Sequence, residues 1–254
     1  LPFAIDGNRL EVARIAARRP GLPPLVFLHE GLGSVAMWRD FPSRVAERTG
    51  AEAVVYSRLG YGASDRRPGP YAPDYMHREA LEMLPKLLDA LGTAAPVLVG
   101  HSDGASIALI HAGAGIRPVR GVVAMAPHVF VEDISIRSIE AAREAFATTD
   151  LKQRLARYHD DPEHAFRGWN DAWLSPAFRD WNIEEYLPEI ACPVLAIQGE
   201  EDEYGTMAQL ASIRRHVPRS TLLALPGARH SPQRDCPEEV IEAIAGLVEA
   251  LAGQ

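Results

Sequence analysis

Residues 97–108 read Val97-Leu98-Val99-Gly100-His101-Ser102-Asp103-Gly104-Ala105-Ser106-Ile107-Ala108, and this stretch constrains the fold more than any other. An apolar run ends at Gly100, and small residues with helical spacing begin at Asp103. The chain must turn almost at once from a buried strand into a helix, with Ser102 on the turn. A turn that sharp pushes the serine hydroxyl out of the sheet, toward solvent or a substrate. Gly100 and Gly104 leave the turn uncrowded. The other role open to Ser102 is capping of the helix at 103–114; the strand-turn-helix setting favours a nucleophile.

Short apolar strands and helices alternate along most of the chain. Strands are read at 24–29, 53–56, 96–100, 121–125, 193–197 and 221–225, and helices at about 36–48, 76–91, 103–114, 206–217 and 237–252. Leu81, Leu84, Leu87, Leu88 and Leu91 form the apolar face of the second helix; Gly92 ends it and Pro85 should kink it. Residues 2–5 and 9–17 flank the turn signal Asp6-Gly7-Asn8, which predicts a hairpin at the first edge of the sheet. The pattern predicts an α/β fold, a mostly parallel sheet with helices on both faces. Residues 129–188 break the series, with helical patterns near 135–146, 151–158 and 162–173 and no strand. They are expected to form a helical cap over the sheet's C-terminal edge, inserted between core segments 1–128 and 189–254.

A chain of 254 residues can bury one substantial core. Its formal net charge of −8, with no lysine or arginine block, argues against nucleic acid or an anionic membrane as partner and leaves a small-molecule substrate. No apolar run reaches membrane-spanning length. Cys192 and Cys236 match no metal spacing, and their settings suggest free, packed thiols in a reducing, cytoplasmic compartment.

A serine hydroxyl needs a base to take its proton, and the base needs an acid to fix its tautomer. His230, in Gly227-Ala228-Arg229-His230-Ser231-Pro232, lies between the last strand and the last helix, at the same sheet edge as Ser102. Asp202, in Gly199-Glu200-Glu201-Asp202-Glu203, lies on the loop leaving the preceding strand, with Glu200, Glu201 and Glu203 as rivals. An oxyanion hole needs two main-chain N–H donors. Asp103, at a helix N-terminus, is one. Gly31, in the loop after strand 24–29, is the other, with Leu32 in reserve.

His29-Glu30-Gly31, Arg58-Leu59-Gly60-Tyr61-Gly62-Ala63-Ser64, Gly100-His101-Ser102-Asp103-Gly104, Gly199-Glu200-Glu201-Asp202 and Gly227-Ala228-Arg229-His230 together resemble the α/β-hydrolase superfamily over nearly the whole chain. The chain order Ser102, Asp202, His230 is the order of that superfamily's triad. The Ser-Asp-Gly sequence and the cap length resemble the biphenyl-hydrolase-like, valacyclovirase-type serine esterases, and are similar to the meta-cleavage-product C–C hydrolases. The resemblance implies a serine hydrolase acting through an acyl-enzyme without cofactor or metal. A carboxylic ester is the expected substrate, and C–C hydrolysis or a non-catalytic ligand-binding role are the alternatives. Glu30 stands where the family usually has glycine. It is expected to point outward or pair with Arg58, or else to join Asp103 in receiving a substrate amine, a role the resemblance implies for the acid after the serine.

Glu30, Leu32, Trp38, His128, Trp169 and Trp173 are candidates for the substrate pocket, although Trp38 also fits a core role at a helix start. Phe130, Tyr158, Phe166, Phe178 and Trp181 also fall in the cap and read mainly as its core. Glu132 and His159 read as structural or solvated. His159-Asp160-Asp161-Pro162-Glu163-His164 superficially suggests a metal site, but Asp161-Pro162-Glu163 reads better as a helix start. Gly31-Leu32-Gly33-Ser34-Val35-Ala36 mimics a dinucleotide fingerprint. The next strand, however, ends in Tyr56-Ser57 rather than the acid that would hold a ribose.

Overall fold

A computed structural model describes residues 3–253. Pro2, at the start of the expected hairpin, lies outside them. The elements are β1 (Phe3–Ile5), β2 (Asn8–Leu10), β3 (Val12–Ile15), β4 (Leu25–Leu28), α1 (Phe41–Thr49), β5 (Ala53–Tyr56), α2 (Tyr75–Arg78), α3 (Leu84–Leu91), β6 (Val97–His101), α4 (Asp103–Ala114) and β7 (Gly121–Met125). After these come α5 (Asp133–Thr148), α6 (Leu151–Leu155), α7 (Pro162–Trp173), β8 (Val194–Gly199), α8 (Ala208–His216), β9 (Thr221–Leu225), α9 (Pro232–Asp235) and α10 (Pro237–Ala252). The main sheet has seven strands in the order β3-β5-β4-β6-β7-β8-β9, parallel throughout except for β3. This is the α/β-hydrolase fold.

Each central strand is apolar on both faces, so alternate residues serve two cores. Leu25, Phe27, Val97, Val99 and Val123 face α1 and α10. Val26, Leu28, Leu98, Val122 and Ala124 face the side covered by α3, α4, α8 and the cap. The elements between β7 and β8 are α5, α6, α7 and two short 3₁₀ turns, forming the helical cap region. The strand order reverses between β4 and β6, and in open parallel sheets ligands bind at the C-terminal strand ends where such a reversal opens a crevice.

Three expectations need correction. The hairpin does not edge the main sheet: β1 and β2 form a sheet of their own, and β3 alone supplies the antiparallel edge, against β5. Glu11 separates them. Its N–H is taken by Ser64 Oγ, and its carboxylate accepts from Ser57 Oγ and the Ala63 N–H. The helix read at 36–48 is a 3₁₀ turn, Ala36–Trp38, then a break at Arg39 (φ 54°), and only then α1. That also removes the strand-turn-helix form a dinucleotide loop needs. Finally, Pro85 produces a widened turn rather than a simple kink: residues Glu79–Met83 are π-helical. The proline has no N–H to give the carbonyl of Ala80, and His111 Nδ1–H donates to that oxygen instead, at 2.7 Å.

The start of α4 presses directly on the sheet. A Cβ on Gly104 would lie 2.0 Å from the main-chain oxygen of Leu28, and one on Gly100 would lie 2.3 Å from that of Gly104. Gly104→Ala therefore forces the helix off β4. It is expected to cost about 3 kcal/mol of stability, read as a lower urea midpoint; a wild-type midpoint would contradict this packing.

Candidate active site

Ser102 follows the last residue of β6 and holds φ 53°, ψ −118°, a conformation that side-chain-bearing residues rarely adopt. Its N–H donates to the Met125 carbonyl at 2.9 Å, and its carbonyl accepts from the Ala105 and Ser106 N–H groups. These bonds hold the strained turn and direct the hydroxyl away from the sheet.

The Ser102 hydroxyl donates to His230 Nε2 at 3.0 Å, and His230 Nδ1–H donates to Asp202 Oδ1 at 2.8 Å. Asp202 Oδ1 also accepts from the main-chain N–H groups of Tyr204 (2.8 Å) and Gly205 (3.2 Å), and Oδ2 accepts from Gln198 Nε2 at 3.2 Å. Burial pushes the Asp202 carboxyl upward, but the hydrogen bond and charge of His230 outweigh it and leave the group below the ordinary range. Asp202 is thus an ionised, fully engaged acceptor. Among its rivals, Glu200 and Glu201 are exposed, and Glu203 accepts from the His230 main-chain N–H at 3.2 Å rather than from its ring.

Asp103 opens α4, so its N–H points out of the helix N-terminus beside Ser102. On the opposing loop the Gly33 N–H donates to the Glu30 carbonyl, whereas those of Gly31 and Leu32 have no protein acceptor among the described residues. Both stay available as donors. The loop is fixed from behind. His29 Nδ1–H donates to the Glu30 carbonyl at 2.6 Å, and His29 Nε2 accepts from the Arg58 N–H at 3.0 Å. Burial, then the Arg58 charge, pulls the pKa of that imidazole well down, so it remains neutral.

The cavity at Ser102 holds about 150 Å³ and is lined by Glu30, Gly31, Leu32, Asp103, His128, Trp169, Trp173 and His230, among others. A larger surface groove of about 860 Å³, between Arg66 and Asp171, touches none of Ser102, Asp202 or His230. Trp169 lies against the oxyanion loop: a Cβ on Gly31 would stand 2.2 Å from its Nε1. Trp173 packs edge-on to His128 with ring centres 5.0 Å apart. Burial, then His230, lowers the pKa of His128 to about 3, so it is a neutral wall of the pocket.

Trp38 is corrected: it is outside this cavity, in the other core, edge-on to Phe27 and stacked on Phe41. The break at Arg39 turns it toward the sheet. Glu30 is corrected too. Arg58 Nη2 donates to the main-chain oxygen of Glu30 at 3.0 Å, while the carboxylate faces His101 Nδ1 at 3.4 Å. Nor do Glu30 and Asp103 converge as an open pair for an amine. Asp103 Oδ2 accepts from the Tyr75 hydroxyl and lies 4.0 Å from Arg58 Nη2, leaving only Oδ1 without a partner among the described residues. His159 is a bridge: Nδ1 accepts from the Gly62 N–H and Nε2–H donates to the Leu32 carbonyl. Asp161 caps α7 by accepting from the His164 N–H at 2.9 Å.

Four pocket residues, His101, Ile139, Tyr204 and Ser231, went unrecognised in the sequence. Tyr204 packs on His230 with ring centres 4.6 Å apart, and Ile139 enters from α5. His101, Tyr204 and Ser231 lie within two residues of Ser102, Asp202 and His230, which was the available signal; nothing marked Ile139.

Known proteins fit this architecture. The chain is 27% identical over 272 residues to a 2-(acetamidomethylene)succinate hydrolase of Mesorhizobium japonicum, covering 96% of this chain and 95% of that protein. It is 25% identical over 190 residues to the human serine hydrolase BPHL, covering 70% of this chain and 62% of that protein. A structure from a study of carboxylesterases of the thaumarchaeon Nitrososphaera gargenis superposes with a TM-score of 0.79 at 18% identity, over 100% of this chain and 98% of the other. Residues 25–243 match the model of the alpha/beta hydrolase family, and the chain belongs to that family.

Proposed function

We propose that this hydrolase is a serine esterase that cleaves a small carboxylic ester through an acyl-enzyme, akin to the biphenyl-hydrolase-like esterases. The observation that carries the reading is the 3.0 Å contact between Ser102 Oγ and His230 Nε2, backed by the buried Asp202. Ser102 attacks the ester carbonyl as His230 takes its proton. Asp202 stabilises the imidazolium and keeps the ring in the tautomer that can accept. The main-chain N–H groups of Asp103 and Gly31 stabilise the tetrahedral oxyanion. His230 then protonates the leaving alcohol, and a water activated by the same base hydrolyses the acyl-enzyme.

The pocket supports a small, uncharged acyl group. A cavity of about 150 Å³ is the size that accommodates a benzene ring. Its walls include two carboxylates, Glu30 and Asp103, and no arginine or lysine. An anionic substrate, such as the dienoate expected of a meta-cleavage C–C hydrolase, meets those two carboxylates, and the buried His101 ring in the wall is turned toward Glu30 rather than free to pair with it.

Ser102→Ala is expected to lower turnover of p-nitrophenyl acetate by about 10⁶, with circular dichroism unchanged, and to abolish labelling by a phosphonofluoridate. Turnover near the wild-type value would remove Ser102 as the nucleophile. Labelling of the wild type without multiple turnovers would favour the ligand-binding alternative. Trp169→Ala should enlarge the pocket and raise the ratio of kcat/KM for p-nitrophenyl hexanoate over acetate by about tenfold. An unchanged ratio would place the acyl group elsewhere.

A further inference from the structure

The mechanism leaves two residues without a part: His101, which precedes the nucleophile, and Glu30, the acid standing where glycine was expected. The structure joins them. His101 closes β6, and its buried ring lies between Trp38 and His230, with ring centres 6.3 and 5.4 Å away. Its Nε2 is 2.7 Å from the main-chain carbonyl oxygen of His230. A carbonyl oxygen only accepts, so Nε2 carries a proton. Nδ1 has two neighbours, Glu30 Oε2 at 3.4 Å and the Gln233 side-chain amide at 3.1 Å.

Two proton arrangements satisfy Nε2. In a neutral ring, Nδ1 turns a lone pair toward a carboxylate and accepts only from the Gln233 amide nitrogen. Gln233 Oε1 is then left buried without a partner. In an imidazolium, Nδ1–H donates to Glu30. Because the two ends of an amide have the same shape, Gln233 can turn Oε1 toward the same N–H, so its amide no longer opposes the proton. Either arrangement leaves one end of the amide unpartnered, but only the second gives the Glu30 carboxylate a donor and an opposite charge in place of a lone pair.

We propose that Glu30 holds His101 as an imidazolium, and that its Nε2–H clamps the main chain of His230, setting the base against Ser102. His101 is thereby a positioning residue, and the inference rests on the reading of His230 as the base. Burial raises the Glu30 carboxyl, yet the hydrogen bond and charge of His101 more than offset it and hold the group well below the carboxylate range. The other ionisable neighbours do not compete for Glu30. His29 and His128 are neutral by burial, and burial also lowers His159, whose ring is engaged by Gly62 and Leu32. His230 points its ring at Ser102 and Asp202, and Arg58 is engaged by main-chain carbonyls and lies near Asp103. Because Glu30 belongs to the oxyanion loop, the clamp also ties Gly31 to the loop that carries the base.

The test is a nitrogen NMR spectrum of ¹⁵N-histidine-labelled protein at neutral pH, with the His101 signals assigned by their loss in His101→Gln. Both ring nitrogens of His101 should be protonated in the wild type, and one should lose its proton in Glu30→Gln. Phosphonofluoridate labelling of Ser102 should slow by about tenfold or more in Glu30→Gln, as small displacements of a catalytic group do. A wild-type His101 with one unprotonated nitrogen overturns the proposal. So does Glu30→Gln protein that melts at a lower temperature but labels at the wild-type rate, since that is a structural contact alone. If the wild type takes no label, the serine-esterase reading fails, and the histidine spectrum still decides the ion pair.

Discussion

The contact on which the site depends is the approach of the α4 N-terminus to the ends of β4 and β6. Gly100 and Gly104 let main chain meet main chain there, with no room for a single Cβ. Helix and sheet then close tightly enough to hold Ser102 at φ 53°. The strain is local, and the surrounding packing over-determines it: α4 is buried from Asp103 through His111, with apolar or small residues on nearly every side. The same closeness carries the Asp103 N–H to the opening between β4 and β6. One packing constraint thus sets both Ser102, the proposed nucleophile, and the Asp103 N–H, a proposed donor to the oxyanion.

The remaining parts reach this point because parallel strands end together. β6, β8 and β9 deliver Ser102, Asp202 and His230 to one rim, and β4 delivers the loop that carries Glu30 and Gly31. Loop lengths do the final placement. Asp202 folds back onto its own turn, where the Tyr204 and Gly205 N–H groups and Gln198 take up its lone pairs. A carboxylate so fully engaged cannot swing away, and the histidine hydrogen-bonded to it inherits that rigidity.

Behind Ser102 is a buried charged layer. Arg58 is almost fully enclosed, donates to the carbonyls of His29 and Glu30, and lies 4.0 Å from Asp103. A guanidinium this deep is stable only because acceptors surround it. It therefore braces the loop after β4 and offsets the charge of Asp103 beside Ser102. The cap completes the enclosure. Phe166 stacks on Phe146 and Phe178 on Trp181 within the helical layer, while Trp169 and Trp173 reach down to the pocket.

The sequence by itself determined the alternation of strands and helices, the sharp turn at Ser102 and the helical interruption after β7, because each is written in local periodicity and in glycines that no other residue replaces. It also brought Asp202 and His230 into consideration, since both follow strands that must end at the same rim. Only the tertiary structure decided that Glu30 meets His101 rather than Arg58, that Trp38 serves the opposite core, and that β1 and β2 leave the main sheet. Each of those outcomes turns on which side chain fills a space or satisfies a polar atom contributed by a distant segment. Glu11, Arg39 and His101 are the residues that settle them, and pattern along the chain carries no record of contacts made across it.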